Sequence, residues 1–185
     1  YLETLRKLVA NRPDDAQSRE DLTSMLLAFR EYNEALQHAE ELLRREPCSD
    51  EAGTLLAVAR MRQLDFTAAA DQLDRTLAVY PHRESLILRR AQLALLVQDY
   101  DVAIKGFERL LAQKHTPERQ AALRQAQVDT YREARRFDDA RRTIESWMAK
   151  TQEPAELQRL RRYLLTVDVT AGDHGRYVAR VREWL

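Results

Sequence analysis

Tyr32-Asn33-Glu34-Ala35, continued by Leu36, Ala39, Leu42 and Leu43 and closed by Pro47, is the stretch whose reading decides the fold. Its apolar residues recur at helical spacing, so they share one face of a helix. On that face Ala35 permits close approach of a second helix, and Tyr32, one turn earlier, can plug the wedge beside it. Pro47 lacks an N–H and restrains the residue before it, so it belongs where one helix stops and the next begins. Upstream, Leu22, Met25, Leu26 and Phe29 form another helical stripe, separated from the first by the polar break Arg30-Glu31. Two helices joined by so short a break fold back antiparallel.

The same text recurs. An aromatic followed three residues later by alanine reads Phe66 to Ala69, Tyr100 to Ala103 and Phe137 to Ala140, at steps of 34, 34 and 37 residues from Tyr32. Pro13, Pro47, Pro81, Pro117 and Pro154 keep similar time, at steps of 34, 34, 36 and 37. Two independent markers with nearly one period define a repeat array. The polar break of the third unit is Gln98-Asp99, and that of the fourth Arg135-Arg136.

The pattern resembles the tetratricopeptide repeat (TPR), a helix–turn–helix unit of about 34 residues. Segment 16–49 fits with Leu22, Tyr32, Ala35, Leu42 and Pro47, and segment 50–83 with Leu56, Ala57, Phe66, Ala69 and Pro81. Segment 84–117 fits with Ala91, Tyr100, Ala103 and Phe107, and segment 118–154 with Tyr131, Phe137 and Ala140. Departures gather toward the C-terminus: Arg90 and Gln127 stand where the family has leucine, Val128 where it has a small residue, and Glu118–Gln120 lengthen a first helix. Residues 155–185 carry a degenerate unit with the stripe Leu157, Leu160, Leu164 and Val167 and the break Gly172-Asp173. Residues 1–15 hold half a repeat. The resemblance implies an all-α fold, a right-handed α-solenoid of 11 helices in antiparallel pairs, forming a single array over 1–185. The chain opens at Tyr1 inside an amphipathic pattern, so it reads as a fragment of a longer protein.

Composition narrows the function. Lys+Arg and Asp+Glu are both 30, and this neutrality argues against a nucleic-acid sleeve or a polybasic membrane surface. Of the basic residues 26 are Arg, which makes planar, bidentate contacts that Lys cannot, but a GC-rich genome produces the same bias and is the preferred explanation. The chain is read as a segment of a larger bacterial protein. No run of about 18 apolar residues is present to span a membrane. Cytoplasm and periplasm both remain open for this soluble segment, since the single Cys48 separates neither.

No catalytic constellation is visible: there is no Gly-rich phosphate loop, nucleophile elbow or His-Glu-x-x-His pair, and His38, His82, His115 and His174 are scattered. The expectation is a protein that is not an enzyme, with no cofactor and no metal. Cys48 reads as an incidental thiol. Asp138 and Asp139 suit a helix N-terminus. Arg135, Arg136, Arg141 and Arg142 read as a solvated rim paired locally with those aspartates, in preference to a carboxylate or phosphate dock.

In the resembled family the first helices line a concave groove. Aligned positions give Gln17, Glu20, Ser24 and Leu27; then Glu51, Thr54, Val58, Met61 and Arg62; then Ser85, Leu88, Gln92 and Leu95; then Gln125, Asp129, Arg132 and Glu133. The strip combines apolar anchors with a charged rim, suited to a helix or extended peptide of a partner protein. Chaperone-binding members hold a partner's terminal carboxylate there with Lys, Arg and Asn; the corresponding places here hold Glu20, Ser24, Leu55 and Val58, so that clamp is missing. The leading expectation is a non-catalytic scaffold that binds a partner protein or peptide on this surface. The alternative is a periplasmic scaffold segment of a bacterial exopolysaccharide export or cell-envelope machine. An RNA-binding helical repeat has a similar period but would need a base-reading code. The first helix (Leu2, Leu5, Leu8, Val9) and the last (Tyr177, Val178, Val181, Trp184, Leu185) carry apolar residues without a capping helix, and self-association through these ends is expected.

Overall fold

A computed structural model describes residues 1–184; Leu185, which the sequence reading placed on the last apolar face, lies outside the described residues. Among the described residues there are eleven helices and no strand, as expected of an all-α fold. The chain divides into two compact units, 1–93 and 94–185.

The first unit holds α1 (Leu2–Asn11), α2 (Ala16–Ala28), α3 (Tyr32–Arg45), α4 (Asp50–Arg62), α5 (Phe66–Val79) and most of α6 (Glu84–Leu96). Successive helices pack on one another from α1 to α5, and α2 also touches α4. Alanine makes this possible: Ala35, Ala39, Ala57 and Ala69 are fully buried among larger core residues such as Leu26, Leu42, Leu56 and Leu73. Leu5, Val9, Leu22, Leu26 and Ala35 form one apolar cluster, with Leu2, Met25 and Leu27 packed against it. Phe29 departs from its expected place in the α2 stripe. It is 61% exposed, because it is the residue that ends the helix and the chain turns away beneath it.

The second unit holds α7 (Tyr100–Leu111), α8 (Pro117–Glu133), α9 (Phe137–Met148), α10 (Pro154–Thr170) and α11 (His174–Trp184). Its core gathers Ile104, Val128, Tyr131, Ala140, Ile144, Leu160, Leu164 and Val167. Helices α8 and α10 run for 17 residues each, longer than the 13 of α2 and α4, and both begin on proline. On α11 Tyr177, Val181 and Trp184 are half-buried and Val178 is exposed.

The hairpins share one way of turning. Arg30, Leu64, Gln98, Arg135 and Gly172 have φ between 55° and 72°, each just past the end of a first helix. At the first of these the Glu31 N–H donates to the Leu26 carbonyl and the Arg30 N–H to that of Leu27, the paired bonds of a Schellman stop. The same pair recurs at Asp65/Leu64, Asp99/Gln98, Arg136/Arg135 and Asp173/Gly172. The following residue then starts the next helix: the side chains of Asp65, Asp99 and Asp173 accept from the backbone N–H groups of Ala68, Val102 and Arg176.

Candidate functional site

Three first helices of the first unit, α2, α4 and α6, line a cleft of about 560 Å³. Its walls carry Gln17, Glu20, Asp21 and Ser24 from α2, Asp50, Glu51, Thr54 and Leu55 from α4, and Ser85 and Arg89 from α6. Residues three and four apart on a helix share a face, so each helix contributes its groove-facing row.

The charges in this cleft are uneven. Asp50 is held by the Arg83 guanidinium at 2.6 Å, and Asp21 accepts from the Gln17 amide at 3.1 Å. Glu20 is half-buried and no cation among the described residues pairs with it. Burial, with the repulsion of Glu51, Glu46, Asp21 and Asp50 added, pushes its carboxyl above the usual carboxylate range. Glu51 is pushed the same way, first by its hydrogen bond to Asp50 and then by burial. Across from these acids, burial and the charge of Arg62 hold Arg89 below the usual guanidinium range. The Arg89 Nε is buried without a hydrogen-bond partner. Arg83 serves Asp50 and reaches Glu51 only at 3.8 Å, so Glu20 is the half-buried acid left without a cation, while the Arg89 Nε is left without an acceptor.

No protein-family model matches the sequence, and no curated protein is similar to it. Solved structures do resemble the chain. The thermophilic TPR protein TTC0263 of Thermus thermophilus is 22% identical over 89% of each chain, with a TM-score of 0.61. YrrB, described as a TPR protein with an unusual peptide-binding site, is 12% identical over 98% of this chain and 91% of its own, with a TM-score of 0.67. MamA from Desulfovibrio magneticus RS-1 is 17% identical over 92% and 93%, with a TM-score of 0.65.

The fold is the TPR fold. Within it, Gln17, Glu20, Ser24, Glu51, Thr54 and Ser85 of the sequence-derived strip line the α2–α4–α6 cleft. Leu27 packs against the first apolar cluster. Val58, Met61 and Leu88 are half-buried, while Arg62 and Gln92 are exposed; none of these five lines the cleft. In the second unit Gln125, Asp129 and Arg132 of α8 bond to one another. The Gln125 amide donates to Asp129 at 2.8 Å, Arg132 donates to Asp129 at 2.7 Å, and the Arg132 Nε donates to the Thr170 hydroxyl at 3.2 Å.

Sequence reasoning passed over Asp21, Asp50 and Arg89. Arg89 lies one turn beyond Ser85, which was on the strip, so the helical period carried a signal for it. It also placed Arg141 wrongly. Arg136 does pair with Asp139 and with Asp101, at 2.7 and 2.5 Å, and Arg142 pairs with Asp139. Arg141, however, is 7% exposed and belongs to the core. Its Nε donates to the fully buried Asp168 at 2.8 Å and its Nη1 to Asp138 at 2.8 Å. The Arg180 Nε closes on the other Asp168 oxygen at 3.0 Å, an ion-pair contact without a well-aimed hydrogen bond. This network ties α9, α10 and α11 together.

Proposed function

We propose that the chain is a non-catalytic protein-interaction scaffold whose cleft over α2, α4 and α6 takes an extended partner segment bearing a basic side chain. The carrying observation is the half-buried, unpaired Glu20 among Asp21, Asp50 and Glu51. A lysine or arginine entering there relieves the mutual repulsion of the acids and gains charge-assisted hydrogen bonds. The unsatisfied Nε of Arg89 has a proton to donate to a backbone carbonyl of the same segment. A cleft of about 560 Å³ is large enough for a few side chains. The peptide-binding site of YrrB supports this class of partner.

Selection from a random octapeptide display library tests it. Enriched sequences carry Lys or Arg at one recurring position, and Glu20→Lys with Glu51→Lys weakens them by about tenfold or more. Reversal of Arg44 and Arg45, on α3, leaves them unaffected. Enriched peptides without a basic position, or equal loss from both pairs, would sink the reading.

A further inference from the structure

A second cleft, of about 420 Å³, opens between α3 and α5, with the Leu56 and Arg60 side chains of α4 among its lining residues. It shares no lining residue with the acidic cleft. Its apolar surface comes from Leu43, Leu56 and Val79, and Val79 is 52% exposed although it is a β-branched aliphatic on a helix. The Tyr80 hydroxyl donates to the Cys48 carbonyl at 2.5 Å and so fixes the loop at one end of the cleft.

The charge here is opposite to that of the unit around it. Residues 1–93 carry 13 basic and 16 acidic side chains, yet this cleft is lined by three arginines and one carboxylate. Arg44 is committed, donating twice to Glu41 at 2.8 Å. Arg60 is only loosely held: Glu40 is 3.8 Å away, and its single hydrogen bond, to the Ala68 carbonyl, is 3.3 Å long. Arg75 is exposed and no carboxylate among the described residues pairs with it. Two guanidinium groups with donors to spare thus flank exposed aliphatic surface. Guanidinium forks match carboxylates in shape and charge, and the stems of the same side chains extend the apolar wall.

We propose that the α3–α5 cleft is a second docking site, for an acidic segment of a partner protein that alternates carboxylates with aliphatic side chains. Carboxylates meet Arg60 and Arg75, and an aliphatic side chain covers Val79 and Leu43. The two clefts then select partner segments of opposite charge. This inference does not depend on the first cleft binding anything.

The sole cysteine, exposed Cys48, lines the cleft and reports its occupancy. The probe is a blocked, fluorescein-labelled octapeptide alternating Asp or Glu with Leu, titrated into the whole chain at physiological ionic strength. The expected result is saturable binding that slows alkylation of Cys48. Replacing Leu by Ser, or the acids by Lys, weakens it about tenfold or more, as does either Arg75→Glu or Val79→Asp, both at exposed positions. Glu20→Lys with Glu51→Lys leaves it unchanged. Circular dichroism establishes that each variant keeps its helix content. Absence of saturable binding, equal binding of the Lys peptide, or binding that leaves Cys48 alkylation untouched overturns the proposal.

Discussion

Glu20 and His38 are the two side chains whose protonation the fold disturbs most usefully. Glu20 is raised by burial and by neighbouring acids, so an arriving cation lowers it again and expels a proton. Calorimetry of a Lys-bearing peptide near pH 5, in two buffers of different ionisation enthalpy, should show proton release; proton uptake would contradict the charge reading. His38 moves the other way. Burial, then the charge of Arg19, hold its imidazole below its usual value, against the opposing pull of Glu34 at 3.7 Å and with Arg6 adding to the repulsion. The unfolded chain therefore binds a proton first as pH falls. The stability that neutral His38 confers is complete above about pH 6.5 and is lost as pH drops below it toward the folded value. Urea denaturation between about pH 7.5 and 5.5 should show this loss, and His38→Gln should flatten it. An unchanged slope in the variant would mean that another group carries the effect.

Helix ends and helix contacts hold the next layer of information. Leu64 sits at φ 65° and is 74% exposed, so a left-handed backbone is forced on a side chain that contributes no packing. Leu64→Gly relieves that strain at some cost in chain entropy and should stabilise the first unit by about 0.5–1 kcal/mol. No gain in thermal stability would show the turn to be unstrained. Gly53 has the opposite role. A Cβ there would stand 2.3 Å from the Thr76 hydroxyl oxygen, where α4 meets α5, and that hydroxyl is tied to the Gln72 carbonyl at 2.9 Å. Gly53→Ala should therefore destabilise by about 1–3 kcal/mol, and a neutral result in urea denaturation would mean that the pair parts easily. In the second unit Asp168→Asn leaves Arg141 buried with its strongest partner weakened, for a loss of about 3 kcal/mol. A loss below about 1 kcal/mol would place the cohesion of α9, α10 and α11 in their apolar contacts instead.

These elements also show what the sequence discloses. Ala35, Ala69, Ala103 and Ala140 are each fully buried, and each was legible because an aromatic three residues earlier and the helical period repeat its local context. Phe29 was misread because the same period runs on past the helix end, and only the Glu31-to-Leu26 bond shows where the helix stops. Arg141 was misread because its partner Asp168 lies 27 residues away, beyond any local pattern. The acidic cleft was half legible. Helical phase gives Gln17, Glu20, Ser24, Glu51, Thr54 and Ser85, but the meeting of Asp21, Asp50 and Arg89 around them depends on how three hairpins stack.

At the scale of the molecule, equal numbers of acids and bases conceal a local separation of charge. Acids dominate the α2–α4–α6 cleft and arginines the α3–α5 cleft. Association through either should slow as salt rises past the point where the screening length falls below about 10 Å. Hydrophobic capture by the same surface would show no such slope. The central claim is that the cation Glu20 lacks is supplied by a partner. A charge-swap cycle tests this most directly, using a selected basic peptide, its Lys-to-Glu counterpart, the native chain and the Glu20→Lys, Glu51→Lys chain. Each single reversal should weaken binding by about tenfold or more, and combining the two should restore most of the loss. If the combined reversal binds as weakly as the sum of the two losses predicts, the peptide's charge does not meet Glu20 and Glu51, and the site lies elsewhere.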